Sequence, residues 1–164
     1  MNPAFSKRIL QWYDQNKRDL PWRKTRDPYH IWVSEIMLQQ TTVSAVIPYF
    51  ERWIKTYPTV FDLAKAPIQD VLKSWQGLGY YNRARNLHKA AGIVAGDYQG
   101  QLPRDPDLVR ALPGFGPYTT ASVLSIAFDT PLVIIDANAR RLVIRLLAIE
   151  AHADTRQDRQ SVLF

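Results

Sequence analysis

The strongest constraint on the fold of this chain is Leu112-Pro113-Gly114-Phe115-Gly116-Pro117, an interruption between two stretches of helical period. Gly114 and Gly116 are free to take positive φ, having no Cβ to clash with the backbone. Pro117 suits the first position of a helix, where a missing N–H costs nothing. The segment therefore predicts a hairpin of helices, residues 105–111 and 117–128, joined by a tight turn. Glycines at a helix N-terminus leave backbone N–H groups and the positive end of the helix dipole open to an anion, typically a phosphate. Behind the hairpin, the apolar run Leu132-Val133-Ile134-Ile135 stops at Asp136, with Asn138 and Arg140-Arg141 following. That arrangement reads as a phosphate clamp followed by a catalytic acid; the plainer alternative makes Asp136 the N-cap of the last helix.

The rest of the chain points to an all-α fold. Glycine and proline punctuate helix-period segments, and no stretch alternates as a half-buried strand does. Helices are predicted at 3–17, with Phe5, Ile9, Leu10, Trp12 and Tyr13 as the apolar set, and at 29–39. Others follow from Val43, on either side of Pro67, from Asn82 to about Ala95, and at 137–149. The last of these is expected to carry Leu142, Val143, Leu146 and Leu147 inward. With 164 residues, 46% of them hydrophobic and five tryptophans, the chain can bury a core. Its net charge of +6 favours a polyanionic partner. It has no cysteine, which excludes disulfides, a thiol nucleophile and the usual zinc or iron–sulfur sites. With no apolar stretch of membrane-spanning length and a charged, amphipathic N-terminus, the chain is expected to be cytoplasmic and off the membrane.

Two further stretches carry chemistry. In YHIWVSEIMLQ, helical spacing flanks Glu35 with Ile31 and Leu38 on one side and Trp32 and Gln39 on the other. Desolvation among such neighbours raises a carboxyl pKa, as a general acid at neutral pH requires; a buried glutamate paired to an arginine is the alternative. After the glycine turn at 77–79, Tyr80 and Tyr81 precede Arg83 and Arg85. That is the composition of a nucleic-acid contact loop, with rings to stack or wedge and guanidiniums for phosphate. A helix start with aromatic staples explains the same residues.

The order of VSEIMLQQT (33–41), GLGYYNRARNLHKAA (77–91), LPGFGPYT (112–119) and IDANARR (135–141) closely resembles the helix-hairpin-helix DNA glycosylases related to endonuclease III. Within that superfamily the pattern is most similar to the adenine DNA glycosylase family, and the similarity spans roughly residues 3–149. The resemblance implies a helical barrel lobe at 25–131 with the hairpin at 105–128, and a partial second lobe from 1–24 and 132–164. It implies base-excision repair by monofunctional hydrolysis, removing adenine mispaired with guanine or 8-oxoguanine from double-stranded DNA, by a nucleoid-associated monomer. The catalytic residues it implies are Glu35 and Asp136, with Tyr118 and Asn138 orienting acid and water groups. For DNA contact it implies Arg23, Gln40, Thr41, Tyr80 and Arg83, with Leu112, Gly114 and Gly116 of the hairpin.

Members that also cut the strand use a lysine amine, two residues after the hairpin's second glycine, to form a Schiff base. That position is Tyr118 here, and no lysine follows Lys89. Relatives continue into further helices and four cysteines that hold a [4Fe-4S] cluster, usually with a C-terminal domain. Ser161-Val162-Leu163-Phe164 reads as an ending cut short of that segment, and no cofactor is expected on this chain. Ala137 stands where relatives commonly have glycine, a change tolerated unless the backbone there needs positive φ.

Overall fold

The computed structural model describes residues 3–146 and 148, which form nine α-helices, one 3₁₀ turn at Pro21–Arg23 and no strand. The helices are α1 (Pro3–Asn16), α2 (Pro28–Leu38), α3 (Val43–Thr56), α4 (Val60–Lys65) and α5 (Ile68–Trp75). They continue as α6 (Asn82–Asp97), α7 (Pro106–Arg110), α8 (Pro117–Phe128) and α9 (Ala137–Leu146). The all-α expectation holds, and the breaks fall at the predicted glycines and prolines.

α2 is the central helix. Asp27 caps it, its carboxylate accepting from the Tyr29 and His30 backbone N–H groups at 2.8 and 3.4 Å, and Pro28 takes the first helical position. Seven of its residues, Tyr29, Ile31, Trp32, Val33, Ser34, Ile36 and Met37, are buried. The helix is apolar almost all round because neighbours surround it. α8 lies antiparallel to α2 and is tied to it at both ends. At one end Arg26 donates to the Ile126 carbonyl at 2.7 Å and pairs with Asp129 at 2.9 Å. At the other, the Gln39 amide donates to the Thr119 hydroxyl at 3.1 Å.

Around this pair the core runs from Leu20 to Leu124. Trp53 packs edge-on against Tyr57 and Trp75, with ring centroids 5.0 and 5.4 Å away. Trp22 is buried with its ring edge-on to Phe50. α4 and α5 both pack on α6, and a reciprocal Thr59–Asp62 capping box starts α4. Each large apolar side chain removed from water contributes about 1.5–3 kcal/mol before the entropy of ordering it.

Two helices stand apart from this core. On α1, the apolar set Phe5, Ile9, Leu10, Trp12 and Tyr13 is 41–63% exposed. α9 was expected to turn Leu142, Val143 and Leu146 inward, and the structure corrects that. It buries none of its residues, with Leu142 and Leu146 more than half exposed, while Leu147 lies outside the described residues. Helical period specifies which side of a helix is apolar; it does not specify what will cover that side.

Candidate active site

The hairpin forms where the sequence places it. Asp105 caps α7, accepting from the Asp107 and Leu108 N–H groups at 2.8 and 3.3 Å. The turn closes with the Phe115 N–H donating to the Leu112 carbonyl at 3.1 Å. The two glycines prove unlike. Gly114 sits at φ +86°, a backbone that favours glycine, and a Cβ there would crowd Asn86 Cβ at 3.1 Å. Gly116 is extended, at φ −93° and ψ 176°, so the expected need for positive φ does not apply. A Cβ at Gly116 would meet nothing within 4 Å. No side chain caps α8 at Gly116, and its first-turn amides have no partner within the helix. Leu112 is buried beneath the turn, so its side chain supports the hairpin from within.

Glu35 projects from α2 into a cleft of about 700 Å³ shared with Leu20, Trp22, Arg23, Ser34, Leu38 and Ile126. Burial pushes its carboxyl above the ordinary carboxylate range, and a hydrogen bond with the Ser122 hydroxyl acts in the opposite direction. Among the described residues the ion pairs are Lys17–Asp14, Lys24–Asp19 and Arg26–Asp129. Glu35 joins none of them, so the arginine-paired glutamate of the plainer alternative is absent there.

Asp136 lines a second cleft, of about 1,070 Å³, with Gln39, Gln40, Tyr80, Arg83, Tyr118 and Ile135. It is also the N-cap of α9: one carboxylate oxygen accepts from the Ala139 N–H at 2.6 Å. Its other oxygen accepts weakly from the Asn138 amide at 3.4 Å. The Asn138 side-chain carbonyl accepts in turn from Arg141 at 2.7 Å. Ala137 opens α9 without positive φ.

α8 joins the two clefts. Burial raises the pKa of the Tyr118 phenol, and the Glu35 and Asp136 charges raise it further, so the ring lies within electrostatic reach of both carboxylates. Ser122 lies one turn along the same face, and its hydroxyl draws the pKa of both Glu35 and Tyr118 downward against burial. This buried serine is the residue that sequence reasoning passed over; its i+4 spacing from Tyr118 was the available signal.

The remaining residues fall on the rim. Gln40 and Tyr80 are exposed and both hold left-handed backbone, at φ 57° and 48°. The Thr41 hydroxyl accepts from Arg83 at 3.2 Å. Arg23 lies at the first cleft, donating to the Arg18 carbonyl at 3.1 Å with its guanidinium 5.6 Å from the Tyr13 ring centroid. Arg83 turns inward, onto backbone carbonyls.

The residues present do not fit an iron–sulfur cluster. The chain offers no cysteine, and among the described residues no group of three or more His, Cys, Asp or Glu could hold a metal ion. No helix among them is long and apolar enough to cross a membrane.

Comparison with known proteins bears on the family and the fold. Rat adenine DNA glycosylase is 46% identical over 157 residues, covering 90% of this chain and 30% of that protein. The Mycolicibacterium smegmatis adenine DNA glycosylase is 43% identical over 151 residues, covering 90% of this chain and 52% of its own length. The chain thus spans about a third to a half of the curated relatives it matches. Among solved structures, a thermostable thymine-DNA glycosylase superimposes with a TM-score of 0.78 at 35% identity, over 88% of this chain and 65% of its own. An endonuclease III bound non-covalently to DNA gives 0.78 at 23% identity, over 100% and 77%, a likeness of fold. The model of the HhH-GPD superfamily base excision DNA repair proteins matches residues 33–163, most of the chain, and the chain belongs to that superfamily.

Proposed function

We propose that this chain carries the catalytic centre of a monofunctional DNA glycosylase that hydrolyses the N-glycosidic bond of adenine mispaired with guanine or 8-oxoguanine. The observation that carries the reading is a buried carboxyl, Glu35 on α2, whose charge acts with that of Asp136 at the start of α9 on the Tyr118 phenol between them in sequence. The similarity to adenine DNA glycosylases supports the choice of base.

Adenine leaves poorly until a ring nitrogen is protonated, and the Glu35 carboxyl, its pKa raised by burial, supplies that proton. Departure of the base leaves positive charge on the sugar, which the fixed Asp136 carboxylate stabilises before water adds. Paired carboxylates meet the same demand in glycoside hydrolysis. Tyr118 and Asn138 orient these groups. A phenol cannot form an imine, so strand cleavage through a Schiff base is not part of the reaction. The base is extruded from the duplex, with Gln40, Thr41 and Tyr80 filling the gap and the α8 N-terminus gripping a backbone phosphate. On this reading the core helices form one lobe, and α1 and α9 belong to a second.

The test is a single-turnover assay on duplex DNA with adenine opposite 8-oxoguanine, alkali revealing abasic sites. The chain is expected to cut only after alkali, and Glu35→Gln to abolish cutting. A folded chain that binds this duplex while releasing no adenine makes the carboxylate assignments wrong and leaves a DNA-binding module.

A further inference from the structure

We propose that Arg83 is a positioning residue: it latches together the two loops that carry Gln40 and Tyr80, and acts on DNA only through them. Its Nη1 donates to the Ile36 and Met37 carbonyls at 3.0 and 3.1 Å and to the Gln39 carbonyl. Its Nη2 reaches the Thr41 hydroxyl at 3.2 Å and the Leu78 and Gly79 carbonyls at 3.1 and 3.3 Å. One guanidinium therefore spans the end of α2, the 39–41 loop and the 78–79 turn. The rings of Trp75 and Tyr80 lie on it, with centroids 5.4 and 5.3 Å away.

The charge of Arg83 is met without an acid. It joins none of the three ion pairs among the described residues. The Ile36 and Met37 carbonyls belong to the last turn of α2, where helix carbonyls have no intrahelical donor and the dipole favours a cation. Both Nη groups are spent on these oxygens and the Nε–H is buried without a partner, so the fork has little left for phosphate.

What it holds is conformationally expensive. Gln40 and Tyr80 both sit at positive φ, a backbone that a non-glycine residue holds only where its surroundings enforce it. Both project beside Asp136 and Tyr118 in the second cleft. The latch presets these two side chains on the rim before DNA arrives, so their ordering cost is met on folding and not on binding.

This inference rests on the proposed glycosylase reading, and its test separates the two. Binding of duplexes carrying adenine opposite 8-oxoguanine, or fully paired, is measured across a salt series for the parent, Arg83→Met and Arg83→Lys. Arg83→Met is repeated in the Gln40→Gly, Tyr80→Gly double variant, glycine being the residue that tolerates both backbones. Arg83→Met is expected to reduce the preference for the mispair roughly tenfold with the salt slope unchanged, and to add almost nothing in the glycine background. A slope reduced by about one makes Arg83 a direct phosphate contact and overturns the proposal. Arg83→Lys, which keeps the charge but cannot span both loops, is expected to lose the preference too; restored preference overturns the latch.

Hydrogen exchange on the free parent chain needs no variant to fold. The 39–41 and 78–81 amides are expected to be slowed, and unprotected loops overturn the latch. A parent chain with no preference for the mispair sinks the glycosylase reading instead, while hydrogen exchange still judges Arg83.

Discussion

Glu35 sits where a carboxyl gains by keeping its proton, and that has opposite consequences for stability and for catalysis. Burial lifts its pKa above the ordinary 4.5, so the folded state binds a proton that the unfolded chain releases more readily. Below 4.5 both states hold the proton. As pH climbs from 4.5 through the raised value, the stabilisation from protonation is lost and the charged carboxylate bears the desolvation cost. Glutamine cannot ionise, so the Tm of Glu35→Gln minus that of the parent is expected to be near zero in acid and to grow across that window. Excision by the parent should fall with rising pH through the same interval. A Tm difference that is flat with pH counts against a desolvated carboxyl.

Asp136 combines a capping role with a charge, and two variants separate them. Asparagine caps as well as aspartate, so Asp136→Asn should stay within about 0.5 kcal/mol of the parent in denaturant unfolding. Excision should nonetheless drop on the order of 10²-fold, because the neutral amide cannot stabilise the sugar cation. Asp136→Ala should lose the cap as well, about 1 kcal/mol. Full excision by Asp136→Asn would reduce Asp136 to a cap.

At the scale of elements, the hairpin yields a sharper contrast than its two glycines suggested. Gly114→Ala forces a Cβ into left-handed backbone and against Asn86, and is expected to destabilise by about 1–3 kcal/mol. Gly116→Ala meets neither obstacle and should leave stability within about 1 kcal/mol of the parent. It should still weaken DNA binding, because its methyl stands where the backbone amides of α8 face an incoming phosphate. Thermal unfolding and a binding titration on the same two variants distinguish these effects.

Gly116 also marks how far the sequence was legible. Pro67 and Pro117, with the glycine turn at 77–79, set helix boundaries through local backbone chemistry, and those boundaries fell where expected. Glu35 among apolar neighbours could be read from helical spacing, since i±3 and i±4 neighbours are fixed by geometry. The closeness of Ser122 to Glu35 and the inward turn of Arg83 could not. Both depend on which helices lie side by side, and a guanidinium in a sequence carries no mark of whether it will meet phosphate or carbonyl. α9 went wrong for the same reason: its period was right, and nothing among the described residues buries its apolar side.

For the molecule as a whole, charge and architecture act together. With a net charge of +6, binding to duplex DNA should weaken with added salt. A plot of log affinity against log salt should be linear with a slope near −0.9 per phosphate neutralised. A flat plot would mean that no phosphate is held.

The antiparallel α2–α8 pair, pinned by Arg26 at one end and Gln39 at the other, has a consequence for search along DNA. The eleven residues of α2 form a strut about 16 Å long. α8 presents the open amides at its start, and Glu35 stands on the flank of α2 beside Ser122. If the hairpin grips the backbone, the strut works as a gauge: whichever phosphate is held, the acid faces a nucleotide at one constant offset from it. Inspection of a long duplex then proceeds one nucleotide per grip. On the proposed reading, bringing the next base to the acid would then fall to a bend in the DNA, with α2 and α8 held as one piece.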